Sequence, residues 1–176
     1  MSFKKILVAI DNSPLSPVAF EATLNLARAN QAQVKLIHCI TPDLIADPMM
    51  GSMTLDASVP PSLLINDLQT QQVLIQQQTE EAQGFLTQYA QAATQQGVVI
   101  ESECLIGETG HLVCEMARDW LADLVVVGRR GRTGLAEAFL GSVSNYVVHH
   151  APCSVLVIQE VTDSTAHAHA SGHPLG

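Results

Sequence analysis

The chain has 176 residues, enough for one domain with a substantial core and too few for two. Hydrophobic residues make up 47%, which argues against intrinsic disorder. The formal charge of −9, with no basic block longer than Arg129-Arg130, argues against nucleic-acid binding or membrane docking through phosphate neutralisation.

The start, Met1-Ser2-Phe3-Lys4-Lys5, leads into an apolar run too short for a signal-peptide core, and no stretch approaches the roughly 20 apolar residues of a spanning helix. A cytoplasmic protein is expected. Aromatic residues are only 4%, so Val, Leu, Ile and Ala carry the apolar content, as in parallel strands covered by helices. Ile6 to Ile10 reads as a strand buried on both faces, stopped by the turn cluster Asp11-Asn12-Ser13-Pro14. Val18, Ala22, Leu26 and Ala29 recur at helical spacing and predict a first helix with that stripe inward. Val34 to Ile40 is a second strand.

Residues 42–66 hold four prolines, three methionines and no clear period, which predicts a long mobile loop. From Asp67 to Gln96 the stripe Ile75, Ala82, Leu86, Tyr89 and Ala93 predicts a helix with a Gln-rich solvated face, ended at Gly97. Val98 to Ile106 is a third strand whose interleaved charges place it near an edge. Gly107-Glu108-Thr109 opens a third helix, with either Leu112, Met116 and Trp120 or Val113, Ala117 and Leu121 facing inward. Asp123 to Val127 is a fourth strand, Ser142 to His149 a short helix stopped before Pro152, and Ser154 to Ile158 a fifth strand. Strict alternation of strand and helix predicts a single-domain α/β fold over residues 1–160, an open five-stranded parallel sheet with helices on both faces. Residues 161–176 have no period and read as a disordered tail. Cys39, Cys104, Cys114 and Cys153 form no C-x-x-C pair, so free thiols in a reducing compartment are expected.

Ligands of open α/β sheets bind beyond the strand carboxyl ends, which directs attention to the segments after strands one, two and four. After strand four comes Gly128-Arg129-Arg130-Gly131-Arg132-Thr133-Gly134, and later Gly141-Ser142-Val143-Ser144. Glycines let backbone N–H groups converge on an anion, and a helix start at Gly141-Ser142 presents free N–H groups and a favourable dipole to phosphate. Gly141 is expected to need glycine's backbone freedom, and Ser142 and Ser144 to donate hydroxyl hydrogen bonds. Neither a Walker loop nor a dinucleotide fingerprint is present.

The spacing Gly128-x2-Gly131-x9-Gly141-Ser142 resembles the signature of the ATP-binding universal stress proteins. Ile6-Leu7-Val8-Ala9-Ile10-Asp11 and Ala151-Pro152-Cys153-Ser154-Val155-Leu156-Val157-Ile158 look like that family's first and last strands. The resemblance covers about residues 3–159. It implies a Rossmann-like sheet of the adenine nucleotide α-hydrolase-like kind, commonly dimeric. ATP, or AMP or ADP, would lie among Ala9, Asp11, Ile40, Val127, Gly128, Arg129, Gly131, Gly141, Ser142, Val143 and Ser144. In that frame Asp11 meets the ribose or a phosphate-bound Mg²⁺, and the Ile40 backbone meets the adenine edge.

Asp11 is also placed to cap the first helix, and Arg129, Arg130 and Arg132 to be a solvated cluster or a phosphate contact. His149 and His150 near Cys153 invite a metal reading, but their place at a helix C-terminus, where His is favoured, argues for a structural role, and His167, His169 and His173 read as part of an unstructured tail rather than a weak transition-metal site. No nucleophile–base–acid set is recognisable, so no catalytic residue is assigned. The leading reading is a nucleotide-dependent regulatory or stress-response protein with at most slow ATP hydrolysis. The alternatives are a slow ATPase or nucleotide-transfer enzyme, and a dimeric interaction protein without nucleotide. The terminal apolar strand Ser154–Ile158 predicts a homodimer through a sheet edge.

Overall fold

Uniform hydrophobicity from Ile6 to Val8 has a direct structural counterpart: this segment is the central strand and is fully buried. The computed structural model describes residues 2–41, 61–129 and 140–159, with 61–71 by backbone alone. In chain order the elements are β1 (Lys5–Ala9), α1 (Leu15–Asn30), β2 (Gln33–Ile40), α2 (Pro61–Gln95), β3 (Ile100–Ile106), α3 (Thr109–Asp119), β4 (Leu124–Gly128), α4 (Ser142–His150) and β5 (Ser154–Ile158). The five strands are parallel, in the order β3-β2-β1-β4-β5.

Strand side chains alternate between faces, so the core has two halves. Ile6, Val8, Leu36 and Val126 face α1 and α2, which contribute Phe20, Leu24, Leu86 and Ala93. Leu7, Ile37, Val125 and Val127 face α3 and α4, which contribute Val113, Cys114, Ala117 and Val147. β3 is an edge strand, and its interleaved charges have a purpose: Glu101 and Glu103 reach Lys35 of β2 at 3.1 and 3.8 Å.

Three local expectations need correction. On α1 the inward stripe is Phe20, Leu24 and Ala27, while Val18 is 46% exposed and Ala29 faces solvent. Two apolar stripes overlap on this helix, and the one with the larger side chains faces the sheet. On α3 the stripe is Val113 and Ala117, but Leu121 lies past the helix end with φ 55° and is 73% exposed. α2 begins at Pro61 rather than Asp67, so residues 61–66 are helical and not loop. Proline sits readily in a first helical turn because the N–H it lacks has no intrahelical partner there. Residues 42–60 and the tail 161–176 lie outside the described residues.

Two glycines test the packing. Gly110 on α3 lies against Tyr146 of α4, and an added Cβ would stand 3.0 Å from three atoms of that side chain. Gly84 on α2 has open space around it. Gly84→Ala is expected to raise the melting temperature by about 1–4 °C, since it removes unfolded-state freedom worth about 0.4–1 kcal/mol. Gly110→Val is expected to lower it by about 2–12 °C through overpacking of about 1–3 kcal/mol. Calorimetry of the two variants checks both signs, and a Gly110→Val protein as stable as the parent would contradict the close α3–α4 seat.

Candidate functional site

β1 is followed by a crossover to β2 on one side, and β4 by a crossover to β5 on the other. The carboxyl ends of these neighbouring strands therefore diverge and leave a crevice. A cavity of about 550 Å³ occupies it. Ala9 and Val127, which are register partners across the β1–β4 ladder, both line it. So do Asp11, Gly128, Gly141, Ser142, Val143 and Ser144, all expected at the site.

The two ends of the β4–α4 connection are pinned together. The Arg129 carbonyl accepts from the Gly141 N–H at 2.8 Å and from the Ser144 hydroxyl at 2.8 Å, while the Arg129 N–H donates to Ile158 at 2.6 Å. Buried Ser144 thus uses its hydroxyl proton within the protein, with Gly141 O also at 3.0 Å, rather than offering it to a ligand. Exposed Ser142 lines the cavity. Gly141 is the N-cap of α4, with φ −63° and ψ 161° and no side-chain cap. That conformation is open to any residue, so what glycine provides here is space beside the cavity and not a special backbone shape. The Arg129 side chain reaches Gln159 at 3.2 Å. Arg130, Gly131, Arg132 and Gly134 lie outside the described residues.

Asp11 does not cap α1, whose N-cap is Pro14. Its Oδ1 instead accepts from the Ser13 N–H at 3.1 Å and from the Ser16 hydroxyl at 2.9 Å, which holds the turn after β1. Ile40 is not brought to the cavity. It is buried, and its carbonyl accepts from Gly107 N–H at 2.9 Å. Its neighbours His38, Cys39 and Thr41 form that wall.

The sequence reading missed the contribution of the β3–α3 junction. Glu108 and Thr109 line the cavity. The Glu108 carboxylate accepts from the Gly110 N–H at 3.1 Å and the His111 N–H at 2.7 Å, capping α3. Thr109 Oγ1 lies 3.4 Å from Thr41 Oγ1. The available signal was positional, since β3 ends at the same carboxyl edge as the other strands. Burial pushes the Cys39 thiol up to about 12, with Cys104 and Glu108 adding to the effect and a Thr109 hydrogen bond opposing it. Among the described residues no group of three or more His, Cys, Asp or Glu is placed to hold a metal.

The universal stress protein family model matches residues 2–159. A relative with which the chain is 38% identical over 159 residues is the universal stress protein Sll1388 of Synechocystis, with 90% of this chain and 99% of that one covered. The chain belongs to the universal stress protein family. Solved structures agree on the fold. UspA from Lactobacillus plantarum has a TM-score of 0.73 at 23% identity, over 90% of this chain and 99% of that one. A universal stress protein in complex with cAMP has a TM-score of 0.58 at 21% identity, over 90% and 98%. The universal stress protein from Archaeoglobus fulgidus in complex with dAMP has a TM-score of 0.56 at 18% identity, over 90% and 100%.

In this family member the cavity thiol gives a pH test. The folded state holds Cys39 protonated well above the 9.0 of a free thiol. Its stabilising contribution is full below pH 9 and is lost as pH rises toward about 12. Stability from urea titrations should fall across that window, and Cys39→Ala should flatten the fall by up to one proton's worth, about 1.4 kcal/mol per pH unit. An unchanged slope in the variant would contradict a cavity thiol held neutral by burial.

Proposed function

We propose that this chain binds an adenine nucleotide, ATP or its AMP or ADP relatives, in the cavity between β1 and β4, and acts as a nucleotide-dependent regulatory protein of the stress response. The observation that carries this reading is the uncapped N-terminus of α4 opening on the cavity beside Gly128. The backbone N–H groups of Ser142, Val143 and Ser144 suit phosphate there. The complexes of two family members with cAMP and dAMP support it. Ala9, Val127 and Gly128 would stand against the sugar. The loop through Arg129 and Gly131 would enclose the phosphates.

The Asp11 Oδ2 atom takes no hydrogen bond from the described residues, so it suits a ribose hydroxyl or an Mg²⁺ ion carried on the phosphates. Such an ion would neutralise phosphate charge beside Asp11. The adenine would lie toward Cys39 and Thr41, the neighbours of Ile40. Hydrolysis, if any, is slow on this reading. The four unpaired cysteines fit a reducing cytoplasm, and no helix among the described residues is long and apolar enough to cross a membrane.

We also propose a homodimer through β5. This strand is an edge of the sheet, and Val155 to Ile158 are only half-buried. Sedimentation equilibrium should give twice the chain mass at micromolar concentration, with the outward β5 amides losing exchange protection on dilution. A monomer there would refute the interface.

For the ligand, a 100-fold excess over the dissociation constant should stabilise by roughly 2.7 kcal/mol. ATP with Mg²⁺ should therefore raise the melting temperature by about 5–10 °C. Gly141→Val should remove most of that rise by filling cavity space, and Ser142→Ala should only reduce it, one hydrogen bond to a charged group being worth about 1.5–3 kcal/mol. GTP should shift it less, and deletion of residues 161–176 should leave the shift intact. A protein purified free of nucleotide that shows no ATP shift would refute the reading and favour an interaction protein without nucleotide.

A further inference from the structure

Three helix N-termini open on the same cavity, because α1, α3 and α4 each follow a strand at its carboxyl end. An anionic group entering the cavity meets three positive dipole ends and must be directed to one. The structure fills one of them, at α3, with a side chain, and at α1 it leaves few N–H groups to offer.

At α1, Pro14 and Pro17 carry no N–H, the Ser16 N–H donates to Ser13 O at 3.1 Å, and the Asp11 carboxylate stands at the turn. At α3, Glu108 takes the Gly110 and His111 N–H groups, one on each carboxylate oxygen. That is an internal anion occupying the place a phosphate would take. At α4, Gly141 has no side chain to do the same, and no side chain among the described residues caps the helix.

Building on the nucleotide-binding reading, we propose that Glu108 is a positioning residue that fixes which way round the nucleotide lies. It fills the N-terminus of α3 and presents negative charge to that side of the cavity, which leaves α4 as the end that receives phosphate. The base is then turned toward the uncharged wall of Cys39, Thr41 and Thr109. That wall holds its own polar contacts, with Thr41 and Thr109 hydroxyls 3.4 Å apart, and offers hydroxyl groups to a base edge without attracting an anion. A carboxylate matters here because it takes two successive N–H groups while its charge repels phosphate over several ångströms.

The test is an amide-resolved NMR titration of the full chain with inorganic pyrophosphate and, separately, with adenosine. In the wild-type protein pyrophosphate should shift the amides of Ser142, Val143 and Ser144 and leave those of Gly110 and His111 in place. Adenosine should shift Thr41 and Thr109. In Glu108→Ala, pyrophosphate should shift both helix ends, and in Glu108→Asp, which keeps the charge, the wild-type pattern should return. Loss of the cap alone would also free those two N–H groups, so Glu108→Gln, which keeps an acceptor at the cap and removes the charge, should likewise gain a pyrophosphate response there. Movement of those two amides in the wild-type protein, or their silence in a folded Glu108→Ala protein, would overturn the inference while leaving nucleotide binding at α4 standing. If Glu108→Ala does not fold, the wild-type pattern alone decides. Absence of any response at Ser142 to Ser144, to pyrophosphate and to ATP alike, would instead remove the nucleotide-binding reading and this inference with it.

Discussion

A parallel sheet forces every connection to return along one of its faces, and in this sheet the direction of travel reverses once, between β1 and β4. Everything at the site depends on that reversal. Strands that continued in one direction would have their carboxyl ends roofed by the next connection. Here two neighbouring strands send their chains apart, so Ala9 and Val127 end at a crevice and the helix starts that follow converge on it. The Arg129 carbonyl then holds the crevice open in one shape. By accepting from both Gly141 N–H and Ser144 Oγ, it ties the start of α4 to the end of β4.

The charge arrangement follows from the same geometry. A chain of net charge −9 attracts anions poorly at long range, so an anion site in it must be local and made of backbone. Open N–H groups at one helix end supply that. The acidic groups at the cavity, Asp11 and Glu108, are engaged with backbone N–H groups of their own turns. On the proposed reading they limit where negative charge can settle and leave the uncharged part of a ligand to the β2 and α3 side.

The fold was largely legible because buried strands announce themselves by uniform hydrophobicity and the helices by their stripes. All nine elements stand in the expected order. Boundaries and faces were harder where two patterns compete, as on α1, or where a residue has two opposite meanings, as Pro61 does. At the site, Asp11, Gly128, Gly141, Ser142, Val143 and Ser144 were legible because the glycine spacing and strand ends mark them. Ile40 is not among the lining residues although His38, Cys39 and Thr41 around it are, and its carbonyl is taken by the Gly107 N–H, a pairing that only the fold shows. Glu108 was legible as the start of α3 but not as cavity lining, because only the sheet order shows that β3 ends beside the same crevice. The role of Ser144 was hidden for a similar reason: a hydroxyl that suits phosphate equally suits the carbonyl across the loop, and only the folded distance of 2.8 Å decides between them.

The central claim is that a single adenine nucleotide occupies this cavity. Native mass spectrometry tests it most directly, on protein purified gently without added nucleotide and again after mixing with saturating ATP and Mg²⁺. The account predicts a mass increment of one adenine nucleotide per chain, lost when the protein is unfolded before spraying. A chain that remains bare at saturating ATP would contradict it.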